Sequence, residues 1–103
     1  MAKPSLTVGN GEAHSSSNKY YYFGTGDYNQ CVYAGGKLYV SLYNANKVAV
    51  FNGMPKKITT KPNFALTGKD SLVMPTFLAY DGNYLWVGEF KFSSRLLRFS
   101  GEL

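Results

Sequence analysis

Short apolar runs alternate with polar positions along most of the chain, and turns containing Gly, Asn or Asp separate them. Alternation with a period of two is typical of half-buried strands, whereas no window carries apolar residues at helical spacing over three turns. The pattern therefore predicts an all-β fold. The predicted strands are residues 5–8, 30–33, 38–43, 48–51, 63–66, 76–80, 84–90 and 96–99.

One sequence pattern occurs twice in the chain. The segments GGKLYVSLYNANKVAVFNG (35–53) and DGNYLWVGEFKFSSRLLRFSG (81–101) align at a spacing of 47 positions, which becomes 48 after the polar turn. A one-residue insertion in that turn accounts for the change. A shorter match relates KPSLTV (3–8) to KPNFAL (61–66), 58 positions on, and the difference locates an insertion of 11 residues in the first copy.

Each copy predicts four antiparallel strands, and four strands at a period near 47 residues are typical of a β-propeller blade. We therefore expect residues 1–103 to form a single unit of about two blades. Its predicted parts are the repeat cores 28–66 and 75–103, an insertion loop at 10–27, and residues 3–8 as a blade-closing outer strand.

Small residues occupy one matching position in the second strand of each copy, Ser41 and Gly88. Glycine weakens a strand unless another backbone or a ligand comes close to it. This position is therefore predicted to be crowded, either because inner strands meet around a propeller axis or because the strand bends sharply at its end.

The two copies resemble the NHL-repeat family of β-propellers. The family pattern is a Pro, a short apolar strand, Asp-Gly, an aliphatic-aromatic-Val strand, an Asn-rich turn, and a basic residue before an aliphatic strand that ends in Phe. PTFLAYDGNYLWV (75–87) with RLLRF (95–99), and NANKVAVFN (44–52) in the first copy, match parts of it. The first copy, continued to Gly68, is similar to a bacterial subtype.

The chain departs from the family pattern at two places. Ala34 replaces the Asp of the Asp-Gly pair in the first copy, and Ser41 and Gly88 stand where an Asp usually follows the Val strand. The resemblance implies a propeller scaffold used for binding, because NHL propellers of some regulatory proteins bind RNA on a basic face and others bind proteins.

Two blades do not close a propeller, which has roughly four to eight, and they leave sheet edges open. We expect either an excised or designed piece of a longer propeller or an assembly of copies. Three copies, the favoured number, make a six-bladed ring, and two or four copies are the alternatives. Head-to-tail strand exchange would join the copies. The candidate interface pairs Lys3, Pro4, Ser5, Leu6, Thr7 and Val8 with Arg95, Leu96, Leu97, Arg98 and Phe99 of a neighbour.

Charge, cysteine content and the lack of targeting patterns bear on the binding partner, the disulfide content and the compartment of the protein. The 11 Lys and Arg exceed the 6 Asp and Glu, which gives a formal charge of +5. A basic balance favours a polyanionic partner such as RNA, although a simply solvated surface explains it as well. The single cysteine, Cys31, excludes an internal disulfide and is predicted to be a small buried residue. No signal-peptide or membrane-spanning pattern occurs, so the default expectation is a cytoplasmic protein without membrane contact.

The insertion carries the strongest candidate binding residues. Tyr supplies a large contact area at low entropic cost, and aromatic side chains beside Lys stack on bases or sugars. The alternative is an extra edge strand whose aromatic side chains pack on the blade. The residues of this candidate binding loop are Lys19, Tyr20, Tyr21, Tyr22, Phe23 and Tyr28.

Candidate catalytic residues are few. His14, the only histidine, lies in a polar serine-rich stretch, whereas a catalytic base needs a rigid frame. Glu89 is the acidic residue within a strand, at the position of Leu42 in the first copy. It is predicted to be solvated at the strand end, with a channel-facing position as the alternative.

The sequence therefore predicts a non-catalytic repeat module for binding or assembly, with no cofactor and no metal. RNA or polyanion binding is the first alternative. A metal-dependent enzyme with its site at the axis of a complete ring is the second.

Overall fold

The computed structural model describes residues 3–6, 28–57, 60–69, 71–90 and 94–100. These residues form two antiparallel sheets, with one 3-10 turn at Tyr43–Ala45 and no α-helix in the described ranges. The first sheet has the order β1-β2-β3-β4 and the second the order β5-β6-β7. The strands are β1 Tyr28–Ala34, β2 Lys37–Leu42, β3 Lys47–Asn52, β4 Phe64–Leu66, β5 Pro75–Tyr80, β6 Leu85–Glu89 and β7 Leu96–Phe99.

The prediction of an all-β chain is confirmed, and seven of the eight predicted strands occur with ends shifted by two residues at most. The eighth, at residues 5–8, is different. Residues 3–6 lie outside both sheets and are exposed, and Thr7 and Val8 are outside the described residues. The insertion loop at 10–27 is also outside them.

The two sheets share one pairing register. In the first sheet Leu38 lies opposite Tyr33 and Phe51, and at the matching positions of the second sheet Leu85 lies opposite Tyr80 and Phe99. Both sheets also carry an irregularity at the start of the first strand, between Tyr28 and Cys31 and between Pro75 and Phe77. The sequence repeat is therefore a repeat of strand pairing.

The β1–β2 and β5–β6 hairpins have the same register but differ in the residues that form their turns. Gly35 and Gly36 both have positive φ, 58° and 78°, as two-residue hairpin loops with matching twist require. In the second sheet the carboxylate of Asp81 supports the turn, because its Oδ1 accepts the backbone N–H groups of Asn83 at 2.8 Å and Tyr84 at 2.9 Å.

The core lies between the two sheets. Tyr39, Val48 and Val50 of the first sheet pack with Leu85 and Val87 of the second. Tyr39 faces the core, and its equivalent in the repeat is Trp86. Side chains on a strand alternate between its faces, so Trp86 lies on the opposite side of β6 from the core residues Leu85 and Val87. The two sheets therefore contribute non-equivalent faces to the core. The sheets therefore stack in the same sense, one behind the other.

This stacking leaves one face of the second sheet open. Phe77 is 54% exposed and Leu96 66% exposed, and both lie on the Trp86 side of the sheet because they flank Gly88 in register. The side of the first sheet away from the core is covered at its central strands, where Val40, Leu42, Ala49 and Phe51 are all buried. It is open at the edge strand β1, where Tyr33 is 55% exposed.

The prediction that Cys31 is buried was wrong. Cys31 is exposed. It lies directly opposite Val40, on the face away from the second sheet, and β1 is the edge strand with most of its residues exposed. A strand at the edge of a sheet has neighbours on one side only, so an apolar residue in it is not enclosed as a central-strand residue is.

Candidate assembly surface

The free edge of β7 is the main difference between the two sheets. In the first sheet β3 pairs with β2 and with β4, whereas β7 pairs only with β6 among the described residues. Leu97 and Phe99 pack against the core, but Leu96 and Arg98 are exposed. An edge strand presents unpaired backbone N–H and C=O groups, which bind a further strand readily.

The matching edge of β3 shows how such a strand is bound. Val48 lies opposite Leu66 and Val50 opposite Phe64. Ahead of this ladder, the backbone N–H of Asn63 donates to the Val50 carbonyl at 2.8 Å, and the Asn63 Oδ1 accepts the Asn52 N–H at 2.7 Å. One side chain therefore fixes the entry of β4 onto β3.

A cleft of about 310 Å³ lies between the end of β4 and the end of β7. Phe99 and Ser100 form one wall, and the other is formed by Ala65, Leu66, Thr67, Gly68 and Lys69. The cleft thus adjoins the β7 edge at the end of the strand, at Phe99.

The single chain shows where some of the predicted interface residues lie and does not test their pairing between copies. Leu96–Phe99 form β7 as predicted. Residues 3–6 are not paired with them in the single chain, and Leu6 is 42% exposed. Arg95 lies before β7, and its side chain is bound to Glu89 within the chain.

The prediction that Glu89 is solvated was wrong. Its side chain is fully buried, and its Oε1 and Oε2 accept Arg95 Nε at 2.6 Å and Nη2 at 2.8 Å. Oε2 also accepts the Val73 backbone N–H at 2.7 Å. The buried carboxylate raises the pKa of Arg95 by hydrogen bonding. Because Arg95 donates further to the Ser71 carbonyl at 2.6 Å, the ion pair ties the segment before β5 to the β6–β7 turn.

Ser41 and Gly88 both have close neighbours, which differ between the two sheets, whereas crowding around a propeller axis stays a prediction. The fully buried Ser41 hydroxyl accepts the Gln30 N–H at 3.0 Å and donates to the Thr76 carbonyl at 3.1 Å, which links the first sheet to β5 of the second. At Gly88 a Cβ would lie 3.1 Å from two atoms of Phe77. Both are contacts made to the first strand of a sheet.

The open face of the second sheet carries a cluster of aromatic and charged side chains. The Arg98 guanidinium lies 4.2 Å from the ring centroid of Tyr84 and 5.9 Å from that of Trp86. The Trp86 Nε1 donates to Asp81 Oδ2 at 2.8 Å. This bond, with the two backbone N–H groups of the turn and the charge of Arg98, lowers the pKa of Asp81. The sequence analysis missed this cluster, although the alternation of β6 and β7 could have indicated it.

The candidate binding loop cannot be compared as a whole. Lys19, Tyr20, Tyr21, Tyr22 and Phe23 lie outside the described residues, as does His14. Tyr28 is the first residue of β1 and is exposed.

Two further properties of the described residues bear on other functions. Within them, no group of three or more His, Cys, Asp and Glu side chains could hold a metal ion. None of their helical segments is long and apolar enough to cross a membrane.

Comparisons of the chain with protein-family models, with curated proteins and with solved structures found no match. The resemblance to NHL repeats therefore stays a prediction. The strand edge, the cleft and the open sheet face are what the chain itself offers for function.

Proposed function

We propose that this chain is a non-catalytic β-propeller repeat module that assembles with copies of itself, head to tail, by strand exchange. In this assembly residues 3–8 of one copy add to β7 of the next. A ring of three copies is the favoured form, and rings of two or four copies are the alternatives.

One observation carries the proposal: two sheets with the same pairing register differ by one outer strand. The first sheet binds β4 along β3, and the matching edge of β7 has no such strand among the described residues. The segment KPSLTV resembles the KPNFAL segment that enters β4. A heterologous contact of this kind closes into a ring when the rotation between copies fits, and otherwise builds a filament.

The solution mass tests this proposal. Light scattering after size-exclusion chromatography, at two concentrations at least tenfold apart, should give a mass of two, three or four times 11.4 kDa. A β7-edge variant, Leu96→Pro, should shift the mass toward the monomer, because the Leu96 N–H faces away from β6 and Pro removes this donor from the edge. A cooperative fold with the mass of one chain at both concentrations would contradict the proposal.

Polyanion binding is a second candidate, and the open face of the second sheet favours it. Phe77 is exposed on this face, and the partly buried Tyr84 and Trp86 lie beside Arg98. Aromatic side chains and Arg are groups that stack on unpaired bases, and the formal charge is +5. If this function is correct, affinity for a single-stranded RNA should fall steeply between 50 and 200 mM salt. Trp86→Ala and Phe77→Ala should weaken it further, whereas an exposed residue of the first sheet, Tyr33→Ala, should not.

A further inference from the structure

We propose that Pro4, Ser5 and Leu6 of a second copy bind at the β7 edge in a defined register, with Leu6 opposite Arg98, Ser5 at Ser100 and Pro4 at the cleft beside Phe99. This inference rests on the proposed function and specifies its contact.

The register follows from the repeat. Phe64 lies opposite Val50 in the first sheet. Arg98 is the equivalent of Val50 in the second copy, and Leu6 is the equivalent of Phe64 in the match between KPSLTV and KPNFAL. Since both sheets keep the same register across their shared strands, the outer strand of the second sheet is expected to follow the register of β4.

The entry contact has an equivalent as well. Asn63 holds Asn52 through its side-chain oxygen, and the matching residues are Ser5 and Ser100. The Ser5 hydroxyl is a hydrogen-bond acceptor and can take the Ser100 N–H in the same way. The backbone N–H of Ser5 would then donate to the Arg98 carbonyl, as that of Asn63 donates to Val50.

The cleft provides the place for the residue before this contact. Pro62, which precedes Asn63, is buried, whereas its match Pro4 is exposed. The cleft is lined by Ser100 itself and by Phe99 on one side and by Leu66 on the other. An apolar Pro next to Ser5 would therefore enter an apolar space that stands beside the hydrogen-bonding residue.

A second copy is the occupant that the single chain favours. Residues 3–6 of the chain's own N-terminal segment lie outside both sheets and are exposed, so they do not fill this site. Leu6 at 42% exposure would lose contact with water on pairing with β7 of another copy, beside Arg98 on the open face of the second sheet.

Disulfide trapping between two single-cysteine variants tests the register. Both are made with Cys31→Ser, because Cys31 is exposed. One carries Leu6→Cys and the other Arg98→Cys, and they are mixed and oxidised. Residues directly opposite on antiparallel strands are close enough for a disulfide, whereas diagonal neighbours at about 7–8 Å are not. The matched control replaces Arg98→Cys by Leu96→Cys.

The expected result is a dimer linked between positions 6 and 98, identified by mass spectrometry of the linked peptides, in about tenfold higher yield than the 6–96 link. In the unmodified protein, hydrogen exchange at the Ser100 amide should slow as the concentration rises. That second measurement needs no substitution that could affect folding.

Three other outcomes would overturn the inference in distinguishable ways. Assembly by light scattering without the 6–98 link or Ser100 protection would contradict the register and leave the proposed function intact. A 6–98 link that forms within a double variant carrying both Leu6→Cys and Arg98→Cys, but not between the two single-cysteine variants, would contradict the second copy as occupant. A folded monomer at every concentration would contradict the proposed function itself.

Discussion

At the residue scale, Ser41 shows how one hydroxyl connects the two sheets. It bonds to Gln30 in its own sheet and to Thr76 in the other, and the Gln30 side chain in turn accepts the Leu78 N–H at 3.0 Å. Buried polar groups that lose a partner cost more than the bond itself contributes. The link between the sheets therefore depends on a few polar atoms as well as on the apolar core.

Ser41→Ala should lower the free energy of unfolding by about 1–3 kcal/mol, because the Gln30 N–H and the Thr76 carbonyl lose their partner in a buried place. Urea unfolding at one fixed protein concentration measures this. The control is Ser94→Ala at an exposed position, where the change should stay within about 0.5 kcal/mol. Equal effects of the two substitutions would show that the buried hydroxyl is not a structural link.

Glu89→Ala should also destabilise the protein, because it leaves Arg95 and the Val73 N–H without their acceptor. Breaking a buried pair costs about 3–5 kcal/mol, but Arg95 is 49% exposed and water will solvate its charge. We therefore expect a loss of about 1–3 kcal/mol.

Glu89→Leu is the informative comparison for this pair. Its counterpart in the first sheet is the buried Leu42, so an apolar side chain fits the position and the loss in urea unfolding should be smaller than for Glu89→Ala. If Glu89→Leu is the more destabilising of the two, the ion pair contributes more than filling the space does.

Asp81→Asn should make stability less dependent on pH in acid. The hydrogen bonds to Asp81 lower its folded pKa below the ordinary value of 3.8. A carboxyl group with a lowered folded pKa contributes stability above its unfolded pKa and loses it as the pH falls through the folded pKa. The urea midpoint of the unmodified protein should therefore fall more than that of the variant between about pH 5 and pH 3. Parallel curves would contradict a role for this carboxylate.

At the element scale, the strands could be predicted from sequence because each has an alternating apolar pattern and because the same pattern recurs in the other copy. A matching position in the other copy supported each predicted strand, and the shared register follows from that match. Which face of a strand is covered depends on the neighbouring sheet, which the alternation does not name. Alternation also does not say which strand lies at the edge of its sheet, and Cys31 of the edge strand β1 is exposed for that reason.

The candidate site was predictable to a similar degree. The β7 strand follows from the repeat, as does the lack of an outer strand paired with it among the described residues. The Glu89–Arg95 pair does not follow, because the Leu42 position of the first copy suggests no charge. The cleft beside Phe99 depends on how two sheets cross. The angle between two sheets depends on how they pack, and the apolar-polar pattern of a single strand does not predict it.

At the scale of the whole molecule, the second sheet repeats the first and stacks on it in the same orientation. The Tyr39 face of the first sheet is covered by the second sheet, and the matching Trp86 face of the second sheet is not. Aromatic and Arg side chains on such a face are typical of the centre of a protein interface. An assembly that continues the stacking would therefore cover Trp86 along with the β7 edge.

The fluorescence of Trp86, the only tryptophan in the chain, tests this continuation. As the concentration rises through the range in which light scattering detects assembly, its emission maximum should move to shorter wavelength, because the ring leaves water. Leu96→Pro, which removes an outward-facing N–H from the β7 edge, should reduce assembly and the emission shift together. Assembly without any emission shift would mean that copies associate through another surface and that the open face of the second sheet serves a different partner.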